Sequence, residues 1–362
     1  MIPVTKTFLP DFDSFARHLQ VAWETSILTN NGSLVKKLSA TLTETLGVKN
    51  IQLVGNGTLA LQLAIKALDL HGEIITTPYS YVATTNAILW EGCTPVFVDI
   101  DPETFCIAPD LIEEAITDRT KAILATHVYG YPCDVDKIQD IADRHGLKII
   151  YDAAHAFGVR LNGQSLLNHG DCSTLSFHAT KLFHTGEGGA VMCKDQSIAE
   201  RIFLMSKFGH IGEDEYLDIG INAKMSELHA AMGLAVLPSV KEIIDTRREL
   251  SRWYDELLEG LNLKRPKMTA GLDYNYAYYP IIFSSHEQMI RVRAGLQAQE
   301  IFPRRYFYPS LNTMPFLHES LRRSCPVSEA TAQCVLAMPL FPTLARQEVE
   351  WITTCIKDAL SA

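Results

Sequence analysis

Apolar runs alternate with amphipathic stretches along the first two thirds of this chain, and that alternation limits its fold more than any other feature. The runs "NIQLVGN", "EIITTP", "TPVFVDID", "KAILATHVYG", "KIIYDAAH", "CSTLSFH" and "AVMCKD" read as strands. They are apolar throughout and not alternating, as expected of a sheet covered on both faces. Between them, "LVKKLSATLTETLG", "TLALQLAIKALDL", "YVATTNAILWEG", "APDLIEEAI" and "DVDKIQDIADRHG" read as helices. Gly47 stops the first, and Pro109 and Asp110 suit the opening turn of the fourth. The pattern predicts an α/β fold with a mostly parallel, doubly wound sheet. Ligands of such sheets bind beyond the carboxyl ends of the strands. That rule selects Gly57-Thr58, Pro78 to Tyr81, His127 to Gly130, Asp152 to His155 and the loop around Lys181.

After about residue 240 the pattern changes. "KEIIDTRRELSRWYDELLEGL" reads as a long helix bridging two domains, "YAYYPIIF" as a strand with half-buried alternation, and "EQMIRVRAGLQAQ" and "RQEVEWITTCIKDAL" as helices. A large α/β domain over residues 1–240, with an N-terminal arm over about 1–20, is therefore expected before a smaller α+β domain over 241–362. The net charge of −10, with no Lys/Arg block to offset it, argues against a nucleic-acid partner. An anionic small ligand needs local positive groups, for which Arg304-Arg305 and Arg247-Arg248 are candidates. No apolar run is long enough to span a bilayer and no secretory leader is visible, so a soluble protein is expected. Eight scattered cysteines without a C-x-x-C pair read as reduced thiols of a cytoplasmic protein.

Three motifs carry chemistry. "GNGTLALQLAIKAL" ends a strand in Gly-x-Gly at the mouth of a helix, where free amides and the helix dipole favour a phosphate and Thr58 adds a hydroxyl. The same glycines resemble a dinucleotide fingerprint, but the acid near the required distance, Glu73, precedes its strand instead of ending it. In "KIIYDAAHAFG", Asp152 closes an apolar strand, where a carboxylate is costly to bury without a cation or donor. Such an acid can hold a ring nitrogen protonated, with His155 meeting the same ring. One strand further on, "SFHATKLFHTGEGGA" presents Lys181, a candidate nucleophile. His178 and His184, with His169 and Cys172, match no zinc spacing, so no metal is expected. Phosphate turn, strand-end Asp and strand-end Lys together form the inventory of a pyridoxal phosphate site: an anion cradle, a pyridinium partner and a Schiff-base lysine.

The sequence resembles the DegT/DnrJ/StrS-type sugar-nucleotide aminotransferases, fold type I pyridoxal phosphate enzymes. The resemblance runs through "GNGTLAL", "TTPYSYVAT", "FVDIDPET", "DAAHAFG", "SFHATKLFHTGEGGA", "GINAKMSELHAAMG", "PRRYFYPSL" and "MPLFPTL", in family order. It implies Lys181 as the Schiff-base lysine, Asp152 as partner of the pyridine nitrogen, His155 near the phenolic oxygen and Tyr81 stacked on the ring. Gly57, Thr58 and Ser176 would hold the phosphate, and Arg304, Arg305 and Tyr306 the substrate. Asn222 would reach the cofactor of a neighbouring subunit, implying a homodimer with shared active sites. Many relatives have arginine two residues later; Lys224 here puts a bidentate contact in doubt.

The implied reaction moves an amino group from L-glutamate to a nucleotide-linked keto-6-deoxysugar, with Lys181 moving the proton. His155, where many 3-keto enzymes have glutamine, directs the expectation to C4 of dTDP-4-keto-6-deoxy-D-glucose. The product, dTDP-4-amino-4,6-dideoxy-D-glucose, would serve surface polysaccharide (O-antigen) biosynthesis. The alternatives are a C3 or UDP-sugar aminotransferase of the same family and an NAD-dependent sugar-nucleotide oxidoreductase. A related 3-dehydratase has histidine in place of the lysine, which Lys181 opposes.

Overall fold

The computed structural model describes residues 1–361; residue 362, the last of the C-terminal domain expected above, lies outside them. Seven strands join in one sheet: β1 (Ile51–Val54), β2 (Glu73–Thr76), β3 (Thr94–Phe97), β4 (Thr120–Thr126), β5 (Lys148–Asp152), β6 (Cys172–Ser176) and β7 (Gly189–Cys193). Their spatial order is β1-β7-β6-β5-β4-β2-β3. Neighbours from β3 through β6 are parallel, while β7 is antiparallel to both β1 and β6. The sheet is thus mostly parallel and covered on both faces. One core cluster holds Ile75, Ile123, Ile149 and Tyr151, and another holds Ile74, Leu124, Ile150 and Val191, so successive residues of one strand enter opposite layers.

The helices follow the same logic of burial. Ser33–Leu46 buries Leu34, Leu38, Leu42 and Leu46 at four-residue steps and ends at Gly47, whose φ of 62° is left-handed. "APDLIEEAI" departs from expectation: it forms two short 3-10 turns, Pro109–Leu111 and Glu113–Ala115. Only Ile112 and Ala115 there are buried, too little apolar contact to sustain a helix. The N-terminal arm contains a helix, Phe12–Thr25, capped by the Asp11 carboxylate, which accepts from the Ser14 amide at 2.8 Å.

A third core lies under the C-terminal helices and contains Leu250, Tyr254, Met289, Val292, Ile352 and Ile356. The helix Val240–Leu257 places Val240 and Ile243 in the first core and Leu250 and Tyr254 in the third, so it bridges them. "YAYYPIIF" gives only a short strand, Pro280–Ile282, paired with Val335–Ala337 and wholly buried. Half-buried alternation is absent because Ile281 enters the third core and Ile282 the first. The first strand, Ile2–Pro3, pairs in parallel with Ile301–Phe302.

Two polar ties fix the C-terminal segments over the carboxyl edge of the sheet. The buried Asp99 carboxylate accepts from the Val327 and Ser328 amides, both at 2.8 Å, capping helix Pro326–Cys334. Asn275 donates its amide hydrogens to the His155 and Phe157 carbonyls, both at 2.9 Å.

Candidate active site

A cavity of about 760 Å³ opens at the carboxyl ends of β5 and β6. Gly57, Thr58, Tyr81, Asp152, His155, Ser176, Lys181, Arg304 and Tyr306 all line it. Arg305 does not, and lies in an adjoining pocket; Asn222 does not either, and sits at the surface, where its Oδ1 accepts from the Lys224 amine at 2.7 Å.

Each wall has a local cause. Asn56 caps helix Gly57–Ala67 by accepting from the Leu59 amide at 2.9 Å, so the Gly57 and Thr58 amides in the first turn remain for an anion. Gly57 is required by close approach: a Cβ there would stand 2.8 Å from the Ser176 Cβ. Gly189 answers the same need on β7, where a Cβ would meet the Asn56 carbonyl oxygen at 2.6 Å. Gly189 therefore lets the returning strand lie against the Asn56-Gly57 turn.

Asp152 ends β5 with its carboxylate buried and no cation paired to it among the described residues. Burial raises its carboxyl above the ordinary range, opposed by the Thr84 hydroxyl, the Ala154 amide and the charge of Lys181. Thr84 Oγ1 donates to Asp152 Oδ2 at 2.7 Å. Ser80 Oγ lies 2.7 Å from Thr84 Oγ1 and receives from Thr126 Oγ1 at 3.0 Å. Because the single Thr84 proton goes to Asp152, the chain is directional: Thr126 to Ser80 to Thr84 to the carboxylate.

His155 Nδ1 accepts from the Tyr129 amide at 3.2 Å, which leaves the proton of the neutral ring on Nε2. Burial holds this imidazole well below its usual range, and the charge of Lys181 adds to the effect. Its ring stacks on Phe307, centroids 5.4 Å apart, and meets Tyr278 edge to face at 5.0 Å. Lys181 Nζ donates to the Tyr278 hydroxyl at 3.3 Å.

Sequence reasoning passed over Thr84, Tyr278 and Phe307, and selected Ser80 only within the strand-end range Pro78 to Tyr81, without a role. No local signal marks them: Thr84 sits inside the helix Val82–Trp90, and Tyr278 precedes a strand in the distant C-terminal half. The two loop histidines have separate duties. His184 Nε2 donates to the Phe8 carbonyl at 2.6 Å, and His178 Nδ1 lies 2.8 Å from the Thr180 hydroxyl. Glu73, the acid a dinucleotide site would need, is buried at the far, amino end of β2. It accepts from Arg119 and, at 2.6 Å, from Thr117 Oγ1. That position removes the structural basis for the oxidoreductase alternative.

The chain matches known proteins over nearly its whole length. The family model described as DegT/DnrJ/EryC1/StrS aminotransferase matches residues 13–357. A dTDP-4-amino-4,6-dideoxy-D-glucose transaminase of Shigella dysenteriae is 42% identical over 360 residues, covering 98% of each chain. A transaminase of the same description from Escherichia coli is 40% identical and covers 97% of each. The structure of DesI, determined in the presence of its TDP-sugar product, superposes with a TM-score of 0.93 at 32% identity, covering 99% of this chain and 93% of that one. The anion turn, buried acid and lysine thus stand in a chain that belongs to the DegT/DnrJ/EryC1/StrS aminotransferase family, a transaminase of fold type I that uses pyridoxal phosphate.

Proposed function

We propose that this enzyme transfers an amino group from L-glutamate to C4 of dTDP-4-keto-6-deoxy-D-glucose, giving dTDP-4-amino-4,6-dideoxy-D-glucose. The observation that carries the proposal is near full-length identity of 42% and 40% to two transaminases named for that product. A GDP-perosamine synthase of Vibrio cholerae and a UDP-sugar 3-aminotransferase of Acidithiobacillus ferrooxidans are less similar, at 31% and 33%.

The residues fit the cofactor on their own chemistry. A buried carboxylate without a cation suits a protonated ring nitrogen, and the free amides of Gly57 and Thr58, with Ser176 beside them, suit its phosphate. Bound pyridoxal phosphate supplies an electron sink for the bond broken at the amino-bearing carbon. Asp152, fed by its hydroxyl chain, would hold the ring nitrogen of the cofactor protonated. With its Nδ1 occupied by the Tyr129 amide, His155 keeps its Nε2–H free and would donate it to an oxygen of the bound cofactor. Lys181 Nζ takes the proton from one reacting carbon and returns it to the other, and Tyr278 holds the amine between transfers.

We read the enzyme as a homodimer in which Asn222 and Lys224 enter the neighbouring site. What supports this is a surface rich in exposed apolar side chains around them, including Phe208, Leu217, Ile219 and Ile221. Residues 1–240 are read as the cofactor domain and 241–362 as the smaller one, supported by the passage of helix Val240–Leu257 from one core to another. Eight free cysteines, most of them buried, support a cytoplasmic setting for a precursor of surface polysaccharide.

The purified protein, supplied with pyridoxal phosphate, is expected to show a visible absorption band that Lys181→Ala lacks. Incubated with glutamate and dTDP-4-keto-6-deoxy-D-glucose, it should yield a sugar nucleotide whose nitrogen NMR places on C4. No turnover, or nitrogen on C3, would refute the assignment.

A further inference from the structure

Arg247 and Arg248, adjacent in the sequence, have different fates in the structure. Arg248 is exposed and pairs with Asp245 at 3.0 Å. Arg247, on helix Val240–Leu257, is only 4% exposed and pairs with no carboxylate among the described residues. Burial pulls its pKa down to about 10, opposed by the phenols of Tyr278 and Tyr274, and its Nε is buried without an acceptor. A cation so placed costs stability, and an aliphatic side chain would fill the same space at less cost. The contact that Arg247 makes is a hydrogen bond from Nη1 to the Ala277 carbonyl, at 3.0 Å.

Ala277 belongs to a strap that runs from Tyr274, in the first core, to Tyr278, at the cavity of Lys181. The start of the strap is held from the His155 side. The Tyr274 hydroxyl donates to the Tyr129 carbonyl at 2.9 Å, Asn275 donates to the His155 and Phe157 carbonyls, and Asn275 Oδ1 accepts from the Ala277 amide at 3.1 Å. Tyr276 has a φ of 52°, a left-handed value that a tyrosine keeps only where its surroundings enforce it. At the far end the Tyr278 carbonyl lies 3.5 Å from the Tyr274 hydroxyl, too far for a strong bond, so Arg247 is the donor that holds the backbone just before Tyr278. Tyr278 in turn accepts from Lys181 Nζ at 3.3 Å.

We propose that Arg247 is a positioning residue of the transamination site: by holding the Ala277 carbonyl it fixes the end of the strap and sets the Tyr278 hydroxyl against Lys181 Nζ. This rests on the transaminase reading above, in which Lys181 moves the proton. An amine that serves two carbons in turn depends on its placement, and a displacement of about 1 Å in such a group costs up to about a hundredfold in rate.

Arg247→Met, Tyr278→Phe and the double variant test the assignment. In the cofactor-free protein, formaldehyde and cyanoborohydride label lysines at one fixed pH, and peptide mass spectrometry compares the rate at Lys181 with the rates at the other lysines. An acceptor at Nζ favours the protonated, unreactive amine, so Tyr278→Phe should speed labelling of Lys181 about threefold or more, the scale of one hydrogen bond. Arg247→Met should do the same while Tyr278 is present, and should change the rate by less than about twofold in Tyr278→Phe. In the cofactor-loaded enzyme, conversion by glutamate, followed by absorbance, should slow about tenfold in each single variant and no further in the double. Arg247→Lys, which keeps a donor and the charge, should recover part of both effects. Equal effects of Arg247→Met with and without the Tyr278 hydroxyl, or a lowered urea midpoint with wild-type labelling, would make Arg247 a structural residue and overturn the proposal. Wild-type labelling in Tyr278→Phe overturns it even if no Arg247 variant folds. If wild type is not converted by glutamate, the transaminase reading fails whatever the labelling shows; if conversion proceeds and the labelling effects are independent, only the role of Arg247 fails.

Discussion

Replacing Thr84 by valine should loosen the cofactor although Thr84 does not line the cavity. Valine keeps the branched shape but removes the one hydroxyl that, among the described residues, donates to Asp152 Oδ2, a 2.7 Å bond to a buried carboxylate. A hydrogen bond to a charged group contributes about 1.5–3 kcal/mol, which corresponds to roughly ten- to a hundredfold in affinity. Asp152, already raised by burial, loses an opposing influence and rises further. Less of it is then ionised at a given pH, so the affinity gap to wild type should widen toward acid. Titrating apo protein with pyridoxal phosphate and following the visible band across pH gives both quantities. Thr84→Ser should restore binding, because the donor returns. The variant also leaves Ser80 without its acceptor, so denaturant unfolding should show a loss of about 1–3 kcal/mol. A Thr84→Val protein that binds cofactor as tightly as wild type at every pH would refute a role for the hydroxyl chain.

Other perturbations follow from the same structure. Gly57→Ala forces a Cβ to within 2.8 Å of the Ser176 Cβ, so cofactor affinity should fall, with about 1–3 kcal/mol of stability lost to overpacking, as read by titration and thermal melting. Asp99→Ala leaves the Val327 and Ser328 amides without an acceptor and should cost about 1–3 kcal/mol in urea unfolding. Burial holds His127 down to about 3, so as pH falls below 6.5 the unfolded chain takes a proton that the folded one refuses. Stability should therefore decline from pH 6.5 toward about 3, by roughly 5 kcal/mol at most from this group. Urea midpoints for His127→Asn, which keeps an acceptor for the Cys133 amide, should decline less steeply; equal slopes would remove His127 as the cause.

Much of the site was legible because its parts lie at strand ends. A Gly-x-Gly turn, an acid closing an apolar run and a lysine one strand later share one edge once the strands are parallel. The hydroxyl chain was not legible, since Thr126, Ser80, Thr84 and Asp152 come from separate segments and meet only through packing. Tyr278 escaped notice for the same reason, and "APDLIEEAI" misled because helical periodicity does not reveal how few of its side chains find a core.

The sequence by itself determined the layered α/β architecture and the cofactor chemistry, because apolar periodicity and strand-end chemistry are local properties of the chain. The tertiary structure decided how that chemistry is tuned: which hydroxyls feed Asp152, which nitrogen of His155 carries the proton, and where Arg247 stands relative to Ala277. Those depend on contacts between residues far apart in the chain, and such contacts exist only after the segments have packed.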